Sequence, residues 1–436
     1  MWVPRTMQTH VPRETTTEGR QTMREKQGHV KQEGRGRARQ GTRCLGRTNP
    51  TRVDTDHPRT KVVEKIVQVL ATAFVANACS PLDADALLNS PNRLIPRSVE
   101  AALRRSIPAV NPTVEDIQKK VEKIGFLLRI PQRKPYGSMQ SDVELVSKIV
   151  RESPQEVLQG IPDDQSGQGE RLLNQLSLGL DKLLVAINQK DPDRTSTAVA
   201  NVLGTVAEIE ILQAPGLPYT LPAQYSEYPR LTGRATVRFL VEKAQDGGEF
   251  VVAVGGGGRN DAQIEIVVDG YSAPITGGAF VSNVEAGKYN SMELVKNGTA
   301  VLGAGPFEDE GSIPLEMKPS DSFEPMYRLP LDVLEGEVPS LPLSLYGAVA
   351  MVHSDPESSS ASSSDNFFIY LYDPQQSGLS GLSFEEGQFA VLGYVTGGRE
   401  VLSQLQTGDR ILKAEVVQGK ENLLIPPRQE SYPELT

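Results

Sequence analysis

The chain has 436 residues, 38% of them hydrophobic and 23% charged, so it exceeds one ordinary domain and has the composition of a folded, water-exposed protein. Its formal net charge of −10 is unevenly spread: Met1–Lys65 carries 15 Lys/Arg against 7 Asp/Glu, a balance of +8, which leaves −18 on the remainder. An acidic body argues against nucleic-acid or anionic-membrane binding, and four His with two Cys leave no material for a metal cluster, a CxxC pair or a disulfide framework.

Met1–Thr60 is rich in Arg, Thr, Gln and Gly and poor in large apolar side chains, so it cannot bury a core. Lys61–Lys65 precedes the mostly apolar run Ile66–Val75, which leads into Ala76-Asn-Ala78. That is a positive flank, a short apolar stretch and an A-x-A cleavage site, too short for the roughly 20 apolar residues a bilayer span requires. Residues 1–78 are expected to be a two-part targeting leader.

From Pro91 to about Gln213 the apolar period is helical. Thr113-Val-Glu-Asp116 resembles a helix start, followed by a stripe at Val114, Ile117, Val121, Ile124 and Leu128. A second stripe, Val143, Val146 and Val150, follows the box Ser141-Asp-Val-Glu144, and a third runs Leu172, Leu176, Leu180, Leu183, Leu184, Ile187. Ile161–Gly169 is expected to be a loop, Asp191-Pro192 a break, and Ala198–Leu212 a fourth helix. These predict an antiparallel bundle within residues 79–213, the stripes facing one another. Ala214-Pro-Gly-Leu-Pro-Tyr-Thr-Leu-Pro222 cannot be helical, and with Tyr219, Tyr225 and Tyr228 predicts a packed strap over 214–230.

After Leu231 the period becomes two: Ala235–Val241, Ile264–Val268, Gly347–Met351, Phe367–Leu371, Phe389–Leu392 and Ile411–Val417. Many short strands with few helices predict a closed barrel or sandwich over 231–424, with 425–436 as a tail. The fold class is therefore α+β, a helical bundle followed by a β-rich closed barrel or sandwich.

The order of motifs is more specific. Ala273-Pro-Ile-Thr276 with Ala279-Phe280-Val281, Gly347-Ala-Val-Ala-Met351, Asp365-Asn-Phe-Phe-Ile369, Glu386–Gly393 and Gly398-Arg-Glu-Val-Leu402 resemble, in sequence, the successive motifs of the cyclophilin family. The helical preface, Ile130–Gly137 and Pro314-Leu-Glu-Met317 are similar to multidomain cyclophilins of the plant thylakoid lumen, where a two-part leader is expected. The resemblance implies a closed antiparallel barrel, a chloroplast thylakoid-lumen location, no cofactor or metal, and proline-containing polypeptide segments as ligands, those of photosynthetic membrane complexes among them.

Rotation about an X-Pro bond faces a barrier of ~18–20 kcal/mol. A cyclophilin seats proline in an apolar slot and aims an arginine fork at the twisting amide. Against the family pattern, Leu294–Gly305 places Lys296 where that arginine is expected, Ala300 in place of a pocket phenylalanine and Gly303 in place of a glutamine. Asn366 replaces a glutamine, Phe384 a tryptophan and Phe389 a histidine, while Met351 and Phe368 match. A compact ammonium does not reproduce a planar fork, so prolyl isomerase turnover is expected to be weak or absent. The rival expectations are an active isomerase and an adaptor that binds partners through its bundle. Oligomeric state has no signature in the sequence.

Other motifs are expected to be structural. Gly255–Gly258 lacks the ending of a phosphate loop, Glu308-Asp-Glu310 is an acidic loop, and Ser358–Ser364 is a low-complexity loop. His353 is expected to make a structural contact near the groove, and Asn297-Gly-Thr299 matches a glycosylation pattern.

Overall fold

The computed structural model describes residues 95–427 apart from 132, 252–256, 305–310, 356 and 377–380. The leader, the first half of Gly255–Gly258, the acidic run Glu308–Glu310 and the chain after residue 427 lie outside the described residues.

Helix α1, Val99–Ser106, is capped by Ser98, whose hydroxyl accepts from Ala101 N at 3.2 Å. Helix α2, Pro112–Leu127, is capped by Asn111, which accepts from Thr113 N and Val114 N, with proline at the first position where no donor is required. Helix α3, Tyr136–Glu152, starts five residues before the box at Ser141–Glu144. Its start has no side-chain cap, and Ser141 instead donates to Gly137 O inside the helix. The one-turn α4, Pro154–Val157, precedes α5, Ser166–Asn188, which takes up the end of the expected loop at Ile161–Gly169. Gly169 is buried there, where a Cβ would fall 2.8 Å from Ile161 Cδ1. Helix α6, Pro192–Gln213, begins six residues early because Asp191 caps it and Pro192 occupies its first turn, so the expected break is a helix start.

Helices α2, α3, α5 and α6 pack in a ring around one core that contains all three apolar stripes. Helix α1 does not join that core. Its Val99, Ala102 and Leu103 are buried against the barrel, while Arg104 and Arg105 reach Glu122 of α2. Between bundle and barrel, Tyr219 donates to Tyr271 O at 2.9 Å, Tyr271 donates to Ala214 O at 3.0 Å, and Tyr225 packs on Tyr327 at 4.5 Å.

The barrel contains β1 (Arg234–Glu242), β2 (Asp261–Asp269), α7 (Pro274–Glu285), β3 (Met292–Asn297), β4 (Ala300–Ala304), β5 (Ser312–Pro314), β6 (Ala348–Asp355), β7 (Ser358–Tyr370), β8 (Val391–Gly397), α8 (Arg399–Leu402) and β9 (Arg410–Gln418). Eight strands close antiparallel in the order β6-β8-β2-β1-β9-β3-β4-β7 and back to β6, with β5 added on β7. The serine-rich run Ser358–Ser364 is strand, not loop: His353 pairs with Ser362, and Ala361–Ser363 pair with β5. Side chains this small fit between two neighbouring strands, and Ser362 is fully buried. The lumen of the barrel is filled by Phe239, Phe280, Tyr289 and Phe367, with ring centroids 5.1–6.4 Å apart.

Candidate functional site: the outer wall of the barrel

Alternation along a strand sends neighbouring side chains to opposite faces of the barrel wall. On β6 and β7 the inward set is Val349, Met351, Phe367 and Ile369, and the outward set is Ala348, Ala350, Val352, Phe368 and Tyr370. Met351 therefore belongs to the lumen and not to the groove, which corrects its expected place.

The same parity moves two further residues. Residues directly paired across a ladder share a face. Gly303 pairs with Leu294, an inward residue, and a Cβ at Gly303 would lie 2.7 Å from Met292 Sδ and Phe367 Cε1. Lys296 pairs with Val301, which is also inward. Its ammonium donates to Ser403 O at 3.0 Å, at the end of the barrel beside α8. The outward position opposite Leu302 is Val295. Neither Lys296 nor Gly303 thus stands beside Phe368.

The residues that do meet on the outer wall are Ala300, Phe368 and Phe389, together with Leu302, Ala350, Val352 and Tyr370. Phe389 crosses Phe368 edge-to-face at 5.1 Å and stacks on His353 at 4.5 Å, and Tyr370 lies edge-on to Phe368 at 6.5 Å. Phe368 and Phe389 are 0% and 1% exposed, so the slot is filled by the chain's own rings. Asn366 is buried on the Phe368 face with Oδ1 unpartnered, whereas Phe384 stands 65% exposed at the rim.

Leu341, Leu343 and Leu345 join this cluster from a segment pinned by Glu386. That carboxylate is 3% exposed and accepts from Leu343 N at 2.7 Å, Ser344 N at 2.8 Å and the Ser344 hydroxyl. Tyr394 adds a bond to Pro342 O at 2.9 Å. Gly387 follows at φ +80°, where a Cβ would meet Leu331 O at 2.9 Å, so the turn that aims Phe389 is made for glycine. Burial raises Glu386, Tyr370 and, to about 7, Glu385, and lowers His353.

Among the described residues the guanidiniums lying over rings are Arg234 over Tyr271 at 5.8 Å and Arg399 over Tyr346 at 5.9 Å. Neither ring belongs to the Phe368–Phe389 pair. Arg234 is instead held by Asp269 at 3.0 Å, and Arg399 donates to Tyr346 O.

Comparison with known proteins settles the lineage of this wall. Residues 98–212 match the family model of the CYP38-like peptidyl-prolyl cis-trans isomerase, PsbQ-like domain, and residues 254–421 match that of the cyclophilin type peptidyl-prolyl cis-trans isomerase/CLD. The chain is 47% identical over 359 residues to the chloroplastic peptidyl-prolyl cis-trans isomerase CYP37 of Arabidopsis thaliana, covering 81% of this chain and 76% of that protein. The chain belongs to the cyclophilin-type peptidyl-prolyl cis-trans isomerase family. A putative thylakoid lumen isomerase of Synechocystis sp. is 28% identical over 74% of this chain and 83% of its own length. Arabidopsis CYP38, also chloroplastic, is 29% identical over 81% and 80%. This cyclophilin is a chloroplast protein of the thylakoid lumen, and none of its described helices is long and apolar enough to cross a membrane.

Within the cyclophilin barrel, sequence reasoning missed Val295, Leu302, Ala350, Val352, Tyr370 and Glu385. Stepping by two from Phe368 yields Tyr370 and Asn366. The choice between Met351 and its neighbours needs the pairing Ala350↔Phe368, which no local pattern carries.

Proposed function

We propose that this cyclophilin holds proline-containing or extended segments of partner polypeptides in the thylakoid lumen with weak or no isomerase turnover, as an assembly or maintenance factor for photosynthetic complexes. The last clause rests on family and compartment. The observation that carries the rest is the outer wall itself: Val295 and Leu302 are the paired side chains of the β3–β4 hairpin beside Phe368, and Phe389 fills the slot. With no fork of donors over the Phe368–Phe389 pair among the described residues, the wall offers little that would preferentially stabilise the twisted amide. Binding then falls to the rim, where Phe384 is exposed.

A proline-peptide isomerisation assay on the full chain tests this. Turnover is expected to be at least about a hundredfold below that of an arginine-bearing cyclophilin, the scale of one lost transition-state donor. Lys296→Ala is expected to leave the residual rate unchanged, since its ammonium is engaged at Ser403 O. Turnover equal to that of an arginine-bearing family member, or its loss in Lys296→Ala, would overturn the reading.

A further inference from the structure

Three buried polar atoms near the Phe368–Phe389 pair have no hydrogen-bond partner among the described residues: Asn366 Oδ1, His353 Nδ1 and Glu385 Oε1. The carboxylate is the most demanding of the three, since a desolvated charge without a counter-charge is destabilising in the unliganded chain. Glu385 is 7% exposed, and among the described residues no Lys, Arg or His lies within ion-pair distance of it. Its backbone N–H donates to Ser383 Oγ at 3.3 Å, and that hydroxyl shares a 3.0 Å bond with Tyr370, the ring edge-on to Phe368. One hydroxyl therefore links Glu385 to the groove wall. Burial pushes it up to about 7, with no cation opposing the shift.

The adjacent residues sharpen the contrast. Glu386 is satisfied by Leu343 N, Ser344 N and the Ser344 hydroxyl, so its burial is explained by the segment it pins. Among the described residues Glu385 pins nothing with its orphan oxygen. On its other side Phe384 turns an aromatic ring to solvent, 65% exposed, and such a face attracts cations. Glu386, Glu385 and Phe384 together give this rim a negative and π-rich character. The −18 carried by the chain after Lys65 reinforces it.

We propose that Glu385 and Phe384 form a receiving point for a basic side chain, lysine or arginine, flanking the proline of the bound segment. This rests on the peptide-binding reading above and adds the charge of the ligand. A buried carboxylate awaiting its partner gives specificity by penalty as well as attraction: neutral or acidic neighbours of proline would leave it unpaired.

The test uses the full chain and three capped, fluorescent peptides that differ only in the residue before proline: lysine, norleucine or glutamate. Lysine is expected to bind about tenfold or more tighter than norleucine, the scale of one charge-assisted hydrogen bond, and glutamate weakest. In Glu385→Gln the lysine preference is expected to shrink to within about twofold, norleucine binding is retained, and the melting temperature rises because the unpaired charge is gone. Phe384→Ala, at an exposed position that folding does not use, weakens lysine binding more than norleucine binding and so narrows the preference. Equal affinity for lysine and norleucine peptides, or a lysine preference that survives Glu385→Gln, overturns the proposal alone. Failure of every peptide to bind overturns the groove reading together with it.

Discussion

The filled slot makes Phe389→Ala the most informative substitution. The ring is 1% exposed, lies 5.1 Å from Phe368 and 4.5 Å from His353, and sits beside backbone that is fixed on the barrel: Met351 N donates to Ala390 O at 3.2 Å and β8 begins at Val391. Little of the vacated space can collapse, so the loss of stability is expected to be about 3–5 kcal/mol, within which the two ring contacts contribute about 0.5–1.5 kcal/mol each. The chain's one tryptophan, Trp2, is in the expected leader, so urea unfolding is best followed by circular dichroism. Affinity for a proline peptide should hold or rise, because the substitution vacates the site proline would occupy. A stability loss below about 1 kcal/mol would mean the ring does not fill the slot. A more than about tenfold loss of peptide affinity would make it a ligand contact instead of a plug.

Two further predictions concern ionisable groups. Burial pushes Glu210, Glu316 and Glu385 each up to about 7 from an ordinary value of 4.5. The folded chain therefore holds protons there that the unfolded chain releases, so their contribution is fully present below 4.5 and is lost as pH rises through about 7. The upper limit is on the order of 3 kcal/mol per group, and the lowered His353 opposes it only on the acid side of 6.5. The melting temperature should be higher near about pH 5.5 than near about pH 8, and a fall on acidification would refute the assignment. At the other end of the barrel Lys243 and Asp409, 3% and 0% exposed, pair at 3.1 Å. Asp409→Ala should cost about 3–5 kcal/mol in urea unfolding, much of it recovered when Lys243 is also made methionine; a cost that the second change does not reduce would locate the loss in the Ala244 and Gln406 amides that Asp409 also accepts.

The stripes at Val114–Ile124, Val143–Val150 and Leu172–Ile187 were legible because each needs only local spacing, and all reach the bundle core. Helix starts were less so. Asn111 and Asp191 cap helices that the spacing placed from Thr113 and Ala198, the start at Tyr136 has Pro135 before it and no capping side chain, and the box at Ser141 lies inside the helix. Val99, Ala102 and Leu103 carry a helical period that says nothing of their target, which is the barrel. The outer-wall cluster was legible in Phe368, Phe389 and Ala300 and obscure where face parity decides: Met351, Gly303 and Lys296 are each one residue from an outward position, and only the ladder assigns the face.

That one-residue parity also separates what the fold requires from what the outer wall presents. The inward set, Val349, Met351, Phe367 and Ile369, packs on Phe239 and Phe280 and is indifferent to what the outward set becomes. The outward set forms a second apolar core. Leu341, Leu343 and Leu345 cover it under the Glu386 clamp, Val99, Ala102 and Leu103 of α1 extend it, and Phe389 occupies its centre. An arginine at Val295 would supply a fork of donors but would face a slot already occupied by a phenyl ring. On the proposed reading, catalytic competence would need a cation on the wall and an empty seat beside it, and among the described residues no guanidinium lies over the Phe368–Phe389 pair. Burial constrains the whole outer wall, and among the described residues it disfavours the unpartnered Asn366 Oδ1 and His353 Nδ1 and, as a carboxylate, Glu385 Oε1 most of all.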